Sequence, residues 1–407
     1  MIINSFSPSL FTTFISGIFF MITLPTHGHS SSHDAEAVWN QTQSSPCGSS
    51  LNGDDSEKTR VFLNSVLEKT AGMSLKESDR FEQVAGGFSK ADLYMVTLAA
   101  EDGATSRDVN RQIIVKHMKE SPADDVEVEA EATEKAGLSG VGPISIGHDS
   151  DRKVIVREAV DNVHTIDRHD TPFHKLVAEK VRAFHNVDAL CRDTLFFDIL
   201  REDAKRVTDN HLYSTFSSSH DETQFQEMAK QIEHIFSHFK DDIRPVHHDL
   251  SPHNILYDGE NAWLIDWETA TNDYYSIDLC MFANFHIYDE TKLPEFLKTY
   301  YGREPTEIEW AKFHAIRPFC YAFHGFRLAF LAKQSKNEAL QPDISNLPEY
   351  KDFQLGIRKG TIPLGSPESL YRLGVATMNK AVSMLKGEDF TKSLVLLESH
   401  IQNQKGE

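Results

Sequence analysis

The chain is short of cysteines and cations, and each shortage excludes a class of protein. The four cysteines, Cys47, Cys191, Cys280 and Cys320, are scattered, which leaves no zinc knuckle, redox motif or disulfide framework. Lysine and arginine number 41 against 61 aspartates and glutamates, a net charge of −20. Because phosphate backbones bind clustered cations, we expect no nucleic-acid partner. Histidine is plentiful, at 20, but no His-x-x-x-His pair flanks a glutamate, so a metal site must be built from carboxylates.

A long apolar run is also missing. The stretch from Leu10 to Leu24 is uncharged, but its 15 residues fall short of the roughly 20 that a spanning helix needs. This length suits a signal-peptide core, yet the first basic residue is Lys58, so the usual basic flank is absent. For residues 1–24 we keep three interpretations open: an export signal, a weak membrane anchor or a mis-assigned start codon. Residues 25–56 are polar, and we interpret them as a disordered linker.

What the chain does contain is enough material for a large core, since 40% of its 407 residues are apolar. Residues 57–160 are predicted to form a strand-rich first domain. The expected elements are five short strands with one helix between the third and fourth: strands 80–84, 93–98, 112–116, 144–147 and 153–157, and helix 125–137.

From residue 161 to residue 403 the pattern changes to helices. Thr171-Pro172 is expected to cap a helix, and a second helix is predicted over residues 221–239. Thr306 and Glu309 have the spacing of a capping box, and Pro318 is expected to kink the helix that follows. The fold class is therefore α+β, with a small antiparallel sheet followed by a larger helical domain.

Most of the chemistry lies between His247 and Glu268. Two short strands are expected to pair as a hairpin across the Asp258-Gly259 turn, which would bring Asp266 back beside Asn254. Amide and carboxylate oxygens suit a hard cation such as Mg2+. Asp249 would face that metal without binding it.

These residues carry a family resemblance. His247-x-Asp249, with Asn254 five residues on and then Asp266, resembles the catalytic and metal-binding segments of the protein-kinase-like superfamily. More narrowly, the aminoglycoside phosphotransferase and choline kinase family is similar in its later motifs, which here are Ile265-Asp266-Trp267-Glu268, Asn272-Asp273 and Asp278-Leu279. The Asp-Phe-Gly and Ala-Pro-Glu tripeptides of protein kinases do not follow. The resemblance therefore implies a two-lobed kinase-like fold and a small hydroxylated substrate.

The resemblance also implies roles for the residues of this segment. Asp249 would be the catalytic base that accepts the proton of the substrate hydroxyl, and Asn254 and Asp266 would hold Mg2+ across the nucleotide phosphates. His247 would brace the loop by hydrogen bonding. We give no role to His248 and treat it as a bystander.

The nucleotide would be bound by the strand-rich domain. Lys116 resembles the lysine that pairs the α- and β-phosphates, and Glu129 is favoured as its helix partner, with Glu131 close behind. A solvated surface lysine is the ordinary alternative. The stretch from Val154 to Val160 would form the hinge whose backbone reads adenine, with Glu158 and Val160 as binding residues, against the alternative of a buried edge strand.

The loop around Gly86, Gly87 and Ser89 is expected to lay backbone amides over the phosphates. It departs from the family pattern, because Lys90 stands where asparagine is common and the spacing to Tyr94 is one residue longer.

The expected function is ATP- and Mg2+-dependent phosphoryl transfer to a small alcohol. The acceptor would be a choline-, ethanolamine- or thiamine-like amine or an aminoglycoside, and the kinase domain is expected in the cytoplasm, with membrane association only through residues 10–24. Four aromatic residues are candidates for a cage around a quaternary ammonium, or else plain core: Trp310, Phe319, Tyr321 and Phe323. The alternative function is a catalytically idle kinase-like binding protein, suggested by the departing glycine loop and the signal-like N-terminus.

Overall fold

The computed structural model describes residues 53–84, 91–99, 111–163, 166–209, 219–334, 343–363 and 366–406. These residues divide into two units. The first contains the described residues up to Thr165 together with His253–Ala270, and the second contains Ile166–Pro252 and Thr271–Glu407. The apolar stretch 10–24, residues 25–52 of the predicted linker and the glycine loop 85–90 lie outside the described residues. Residues 53–56 were also predicted to be linker, but they form the start of the first helix, Gly53–Ala71.

Strands and helices follow in chain order. The strands are β1 (Arg80–Val84), β2 (Asp92–Leu98), β3 (Arg111–His117), β4 (Ser145–Asp149), β5 (Val154–Glu158), β6 (Ile243–Val246), β7 (Ile255–Tyr257), β8 (Ala262–Leu264) and β9 (Thr271–Tyr274). The helices are α1 (Gly53–Ala71), α2 (Ala123–Leu138), α3 (Thr171–Phe184), α4 (Phe196–Asp209), α5 (Ser219–Phe236), α6 (Ser276–His286), α7 (Leu293–Tyr301), α8 (Glu307–Gln334), α9 (Tyr350–Arg358), α10 (Pro367–Leu385) and α11 (Glu388–Gly406).

The first unit is built on a five-stranded antiparallel sheet in the order β1-β2-β3-β5-β4. Alternating apolar residues give the sheet two different faces. One face carries Ile113, Val115, Val154 and Val156, which form a core with residues of α1 such as Leu63. The five predicted strands are confirmed to within two residues at each end, because alternation over short β-branched runs is a strong local signal.

The opposite face of the sheet packs against α2, through Ile155, Val126 and Ala130. The β7-β8 hairpin belongs to the same unit, and the amide of Leu264 donates to the carbonyl of Val141, just beyond α2. A Cβ atom at Gly142 would lie 2.9 Å from the Leu264 carbonyl oxygen. This position therefore has room only for glycine.

The second unit is helical, with the long helix α8 at its centre. Helices α8 and α10 approach closely at two glycines, since a Cβ on Gly325 would lie 3.0 Å from the Gly374 carbonyl oxygen and a Cβ on Gly374 would lie 3.0 Å from that of Gly325. Helix α8 continues through Pro318. The α+β fold with a small sheet and a large helical part confirms the expected fold class.

Helix boundaries were predicted less exactly than helix positions. The capping box is confirmed, because the Glu309 amide donates to the Thr306 hydroxyl at 3.2 Å and the Thr306 amide to Glu309 at 2.7 Å. The expected cap at Thr171 is wrong, since Asp170 is the N-cap and accepts from the Thr171 amide. Helix α5 ends at Phe236, before the predicted residue 239, where a 3-10 turn begins to redirect the chain.

Among the residues that the structure describes, no helix combines the length and the apolar character needed to cross a bilayer. The segment considered for membrane association, 10–24, lies outside them.

Three buried histidines of the second unit predict a pH-dependent stability. Burial lowers the pKa of His174 to about 4, helped by the nearby cations His169 and Lys292, and it lowers the pKa of His286 well below 6.5 and that of His324 to about 3. The unfolded chain binds protons at these residues near pH 6.5, whereas the folded chain does not. Stability should therefore fall as the pH falls from 6.5 towards 4.

Urea unfolding at pH 7 and pH 5 measures this effect. The free energy of unfolding should fall by up to about 1.4 kcal/mol per pH unit for each histidine. A His174→Phe variant should lose less stability over the same interval, because one titrating group is gone. Equal stability of the wild type at both pH values would contradict the prediction.

Candidate active site

In the first unit, the candidate functional residues form a charged cluster centred on Lys116. In the β3-β5 register Lys116 lies opposite Ile155, so its side chain is on the sheet face that carries α2. The ammonium Nζ lies 2.6 Å from Asp266 Oδ1, 2.7 Å from Glu129 Oε1 and 3.6 Å from Glu268 Oε2. Lys116 is only 9% exposed. The alternative of a solvated surface lysine is therefore excluded.

Helix α2 supplies the partner that the sequence favours, Glu129. Its neighbour Glu131 lies one half-turn further round the helix and instead receives a bond from Lys135 at 2.9 Å. Glu129 is 3% exposed, so its carboxylate is held in a nearly dry environment beside the ammonium.

The hairpin brings Asp266 back beside Asn254, as expected. Ile255 pairs with Leu264, and the next amide in the chain, that of Ile265, donates to the carbonyl of Asn254 at 2.9 Å. Asp266 then adopts a left-handed backbone with φ of +68°, which is uncommon for a residue other than glycine. Such conformations cluster at functional sites, where the surrounding structure holds them.

Asp258 fixes the tip of that hairpin. Its Oδ1 accepts from the amides of Glu260 and Asn261, and its Oδ2 accepts from the Trp263 indole. The loop therefore spans four residues, 258–261, between β7 and β8.

Charge within this cluster is nearly balanced. Burial disfavours the Lys116 ammonium, but Asp266, Glu129 and Glu268 outweigh burial and hold the pKa of Lys116 above its ordinary value. Arg157 is a second cation, two residues beyond Ile155 on the same sheet face, and burial lowers its pKa to about 10 against the attraction of Asp266 and Glu129. Three carboxylates thus face two cations.

The remaining negative charge fits a hard cation. Glu129, Asp266 and Glu268 each offer a carboxylate oxygen, and these oxygens lie within 4.8 Å of one another. Oxygen donors close together, with a buried amide residue, Asn254, at the start of the same hairpin, are the chemistry that Mg2+ prefers. The donor set of this unit therefore fits the metal that the sequence predicts.

In the second unit, the candidate functional residues lie on the loop that follows β6, which is anchored by Asp278 of α6. The amide of His247 donates to Asp278 Oδ2 at 2.8 Å and the amide of His248 donates to Oδ1 at 2.9 Å. His185 Nε2 lies 3.1 Å from Oδ2. Burial raises the pKa of Asp278, but its bonds to His185 and the charge of that histidine outweigh burial and lower it. The carboxylate therefore stays charged and holds the loop.

Asp249 follows directly and is partly buried. Its amide donates to His247 Nδ1 at 3.3 Å, so His247 braces the loop as expected. His248, which the sequence analysis treats as a bystander, is 2% exposed and has its Nε2 atom 3.0 Å from Asp273 Oδ2.

The hinge segment ends β5, which lies between β3 and β4, so the alternative of an edge strand is wrong. The Glu158 amide donates to the Ile144 carbonyl and the Ala159 amide to the Gln112 carbonyl. The next backbone amide along the chain is that of Val160. Gly86, Gly87 and Ser89 lie outside the described residues.

Sequence reasoning missed three residues of the Lys116 cluster and the Asp249 loop. Glu268 joins the carboxylate cluster, and its signal is the two-residue spacing from Asp266. Asp278 holds the catalytic loop, and its signal is the Asp278-Leu279 motif, whose physical role the pattern does not reveal. His248 has no signal beyond its place before Asp249.

The aromatic candidates for an ammonium cage are mainly core. Phe319, Tyr321 and Phe323 are each at most 3% exposed, and they pack against other aromatic rings of the helical unit. Trp310 is less buried and stacks on His314, with ring centroids 5.4 Å apart.

Comparison with known proteins gives one family match. The sequence model of the choline/ethanolamine kinase family matches residues 161–315. No curated protein matches the chain.

Solved structures of low identity share the fold. A choline/ethanolamine kinase family protein from Mesorhizobium loti is 13% identical, with a TM-score of 0.57 over 84% of this chain and 98% of its own. Choline kinase from Cryptosporidium parvum is 12% identical, with a TM-score of 0.51 over 83% of this chain and 98% of its own.

The family match over residues 161–315 indicates a class, a small-molecule phosphotransferase, and the shared fold agrees with it. Within that class it is similar to the choline kinase and aminoglycoside phosphotransferase family, as the motifs predict.

The buried charge cluster predicts an unequal cost for two lysines of the first unit. Lys116→Met leaves three clustered carboxylates without their main counter-charge and should lower the free energy of unfolding by about 3 kcal/mol. Lys69→Met is the control, because Lys69 is 52% exposed in its ion pair with Asp149 and should cost less than about 1 kcal/mol.

Urea denaturation measures both variants. Adding Glu129→Gln to Lys116→Met should recover part of the loss, since one buried charge is then removed. A Lys116→Met protein as stable as the wild type would show that the ammonium is not a counter-charge to this cluster.

Proposed function

We propose that the chain transfers the γ-phosphoryl group of ATP to the hydroxyl of a small amine-bearing alcohol, in a Mg2+-dependent reaction. The observation that carries the proposal is the Lys116 ammonium held between Glu129 and Asp266, at 2.7 and 2.6 Å. A lysine on a strand, a glutamate on the adjacent helix and a metal-binding aspartate are the parts that phosphoryl transfer requires in kinases.

Asn254 and Asp266 would hold the Mg2+ ion, with Glu268 as a further carboxylate. When bound, the ion neutralises phosphate charge and orients the transferred group. Lys116, which already bonds Asp266, would exchange part of that contact for nucleotide phosphate oxygens. Glu129 would keep the ammonium in place during this exchange.

The nucleotide base would lie against the hinge. The amides of Glu158 and Ala159 are used by the sheet, and the Glu158 carbonyl accepts from Arg157 Nη1 at 3.1 Å. We therefore assign to adenine the amide of Val160 and the second lone pair of the Glu158 carbonyl. We assign the backbone of Gly86, Gly87 and Ser89 to the phosphates, on the resemblance alone.

Asp249 would accept the proton of the acceptor hydroxyl as that oxygen attacks phosphorus. The loop supports this role because its backbone is held on both sides. The amides of His247 and His248 donate to Asp278, and the amide of Asp249 donates to His247 Nδ1. A base held in this way loses little freedom when the acceptor binds.

The acceptor class is supported by the family match, since residues 161–315 include the Asp249 loop and the two helices that follow it, α6 and α7. Choline, ethanolamine and thiamine-like amino alcohols are the first candidates, and aminoglycosides the second. A net charge of −20 favours a cationic acceptor over an anionic one.

The alternative is an idle kinase-like protein that binds a ligand without turnover. A panel assay separates the two: purified full-length chain, MgATP and, in turn, choline, ethanolamine, thiamine and kanamycin, with ADP release and phosphorylated product both measured. Product with any acceptor supports the proposal. MgATP binding without product from any acceptor would leave the idle protein.

Asp266→Ala should abolish Mg2+-dependent nucleotide binding, because the neutral Asn254 cannot offset the phosphates as a carboxylate-bound ion does. Calorimetry with ATP, in MgCl2 or in EDTA, should show that added Mg2+ no longer tightens binding. Glu260→Ala, an exposed carboxylate of the same hairpin, is the control and should behave as the wild type. Unchanged MgATP affinity in Asp266→Ala would overturn the metal assignment.

Asp249→Asn should lower kcat by roughly 10²- to 10⁴-fold while leaving MgATP affinity unchanged, because the amide keeps the shape but is not a base. Steady-state kinetics with the fastest acceptor of the panel measure this, with the exposed Asp241→Asn as control. A structural aspartate would instead lower the melting temperature and the nucleotide affinity together. Wild-type kcat in Asp249→Asn would refute the role.

A further inference from the structure

His248 occupies a backbone conformation that residues other than glycine seldom adopt. Its φ is +65°, in the left-handed region that favours glycine and, to a lesser degree, asparagine. The residue lies between His247, which braces the loop, and Asp249. A strained residue next to a reacting group persists only when other contacts hold it there.

Two contacts hold His248. Its amide donates to Asp278 Oδ1 at 2.9 Å, and its imidazole Nε2 lies 3.0 Å from Asp273 Oδ2. The Phe196 ring covers the imidazole edge-on, with centroids 6.4 Å apart. The side chain is 2% exposed, so the bond to Asp273 is shielded from water.

Asp273 is itself a fixed point. It lies on β9, opposite Arg244 of β6, the strand that leads directly into the loop. Its Oδ2 also accepts from the Phe196 amide at 2.5 Å and its Oδ1 accepts from the Tyr274 amide at 2.7 Å. A fully buried carboxylate with three bonds has little freedom to move, so the imidazole that it holds is equally restrained.

We propose that His248 is a positioning residue for Asp249: its bond to Asp273 holds the left-handed turn and thereby sets the direction of the Asp249 carboxylate. This inference rests on the proposed function, in which Asp249 is the base. His248 is not the base itself, because its Nε2 faces Asp273 in the interior. Displacement of a reacting group by about 1 Å can cost up to about 100-fold in rate.

Kinetics of four variants test the proposal, with MgATP and the amino alcohol of the panel that is phosphorylated fastest. His248→Ala and Asp273→Asn should each lower kcat by tenfold or more, with the KM for MgATP within twofold of wild type. The double variant should be no slower than the slower single one, because both remove the same bond. His248→Gln should recover most of kcat, since the amide nitrogen of glutamine lies near the place of Nε2 and can donate to Asp273.

The matched control is Asp203→Asn, which breaks another buried ion pair of the same unit, that of Asp203 with Arg327 on helices α4 and α8. It should lower stability without lowering kcat. If His248→Ala keeps wild-type kcat, or if Asp203→Asn loses as much kcat at equal loss of stability, the positioning role is refuted.

Hydrogen exchange separates this inference from the proposed function. In His248→Ala the amides of His248 and Asp249 should exchange at least tenfold faster, while those of β6 and β9 change less. If wild-type protein phosphorylates no acceptor, the proposed function fails, and exchange still decides whether His248 holds the turn. Unaltered exchange of these two amides would overturn the inference in either case.

Discussion

The first unit of this protein depends on one interaction, a buried ammonium among carboxylates. Lys116, on the sheet face opposite the main core, lies between Glu129 and Asp266, with Glu268 close by. Those three acids come from a helix and from the segment after a hairpin, and without the cation they would repel one another in a nearly dry place. One side chain thus makes the sheet, the helix and the hairpin segment mutually dependent. The same cluster has the donor atoms for a metal, so the contact that organises the unit is also the one that ligands would use.

In the second unit, the loop that carries Asp249 also depends on buried charged groups, but there they are carboxylates instead of an ammonium. Here a buried anion, Asp278, gathers the main-chain amides of His247 and His248. A second buried anion, Asp273, takes the imidazole of His248. Both carboxylates lie on elements that pair or pack with their neighbours, β9 and α6. These two carboxylates therefore hold the strained backbone of the loop at His248.

The family match and the geometry cover different parts of the function. Residues 161–315, which match the choline/ethanolamine kinases, include Asp249, Asn254 and Asp266. Lys116 and Glu129 lie outside that match, and the structure places them 2.7 Å apart, as the sequence favours. The family match supports phosphotransfer chemistry. It does not select the acceptor, because specificity depends on the side chains around the substrate, and at 13% identity these are free to differ.

The sequence by itself determined the fold class, the strands of the sheet and the Asn254–Asp266 hairpin, and it favoured Glu129 over Glu131 without deciding between them. These follow from local signals: alternation, the Asp-Gly turn and helical spacing from the Gly142-Pro143 stop. Only the tertiary structure decided that Lys116 is buried, that Glu268 joins its cluster and that Asp278 and Asp273 hold the loop. The physical reason is distance along the chain. Lys116 and Asp266 are 150 residues apart, and a buried charge is explained by a partner that no local pattern can supply. The aromatic residues of α8 illustrate the same limit. Their helical spacing is equally compatible with a cage around an ammonium group and with a hydrophobic core, and the structure shows that most of them are buried in the core.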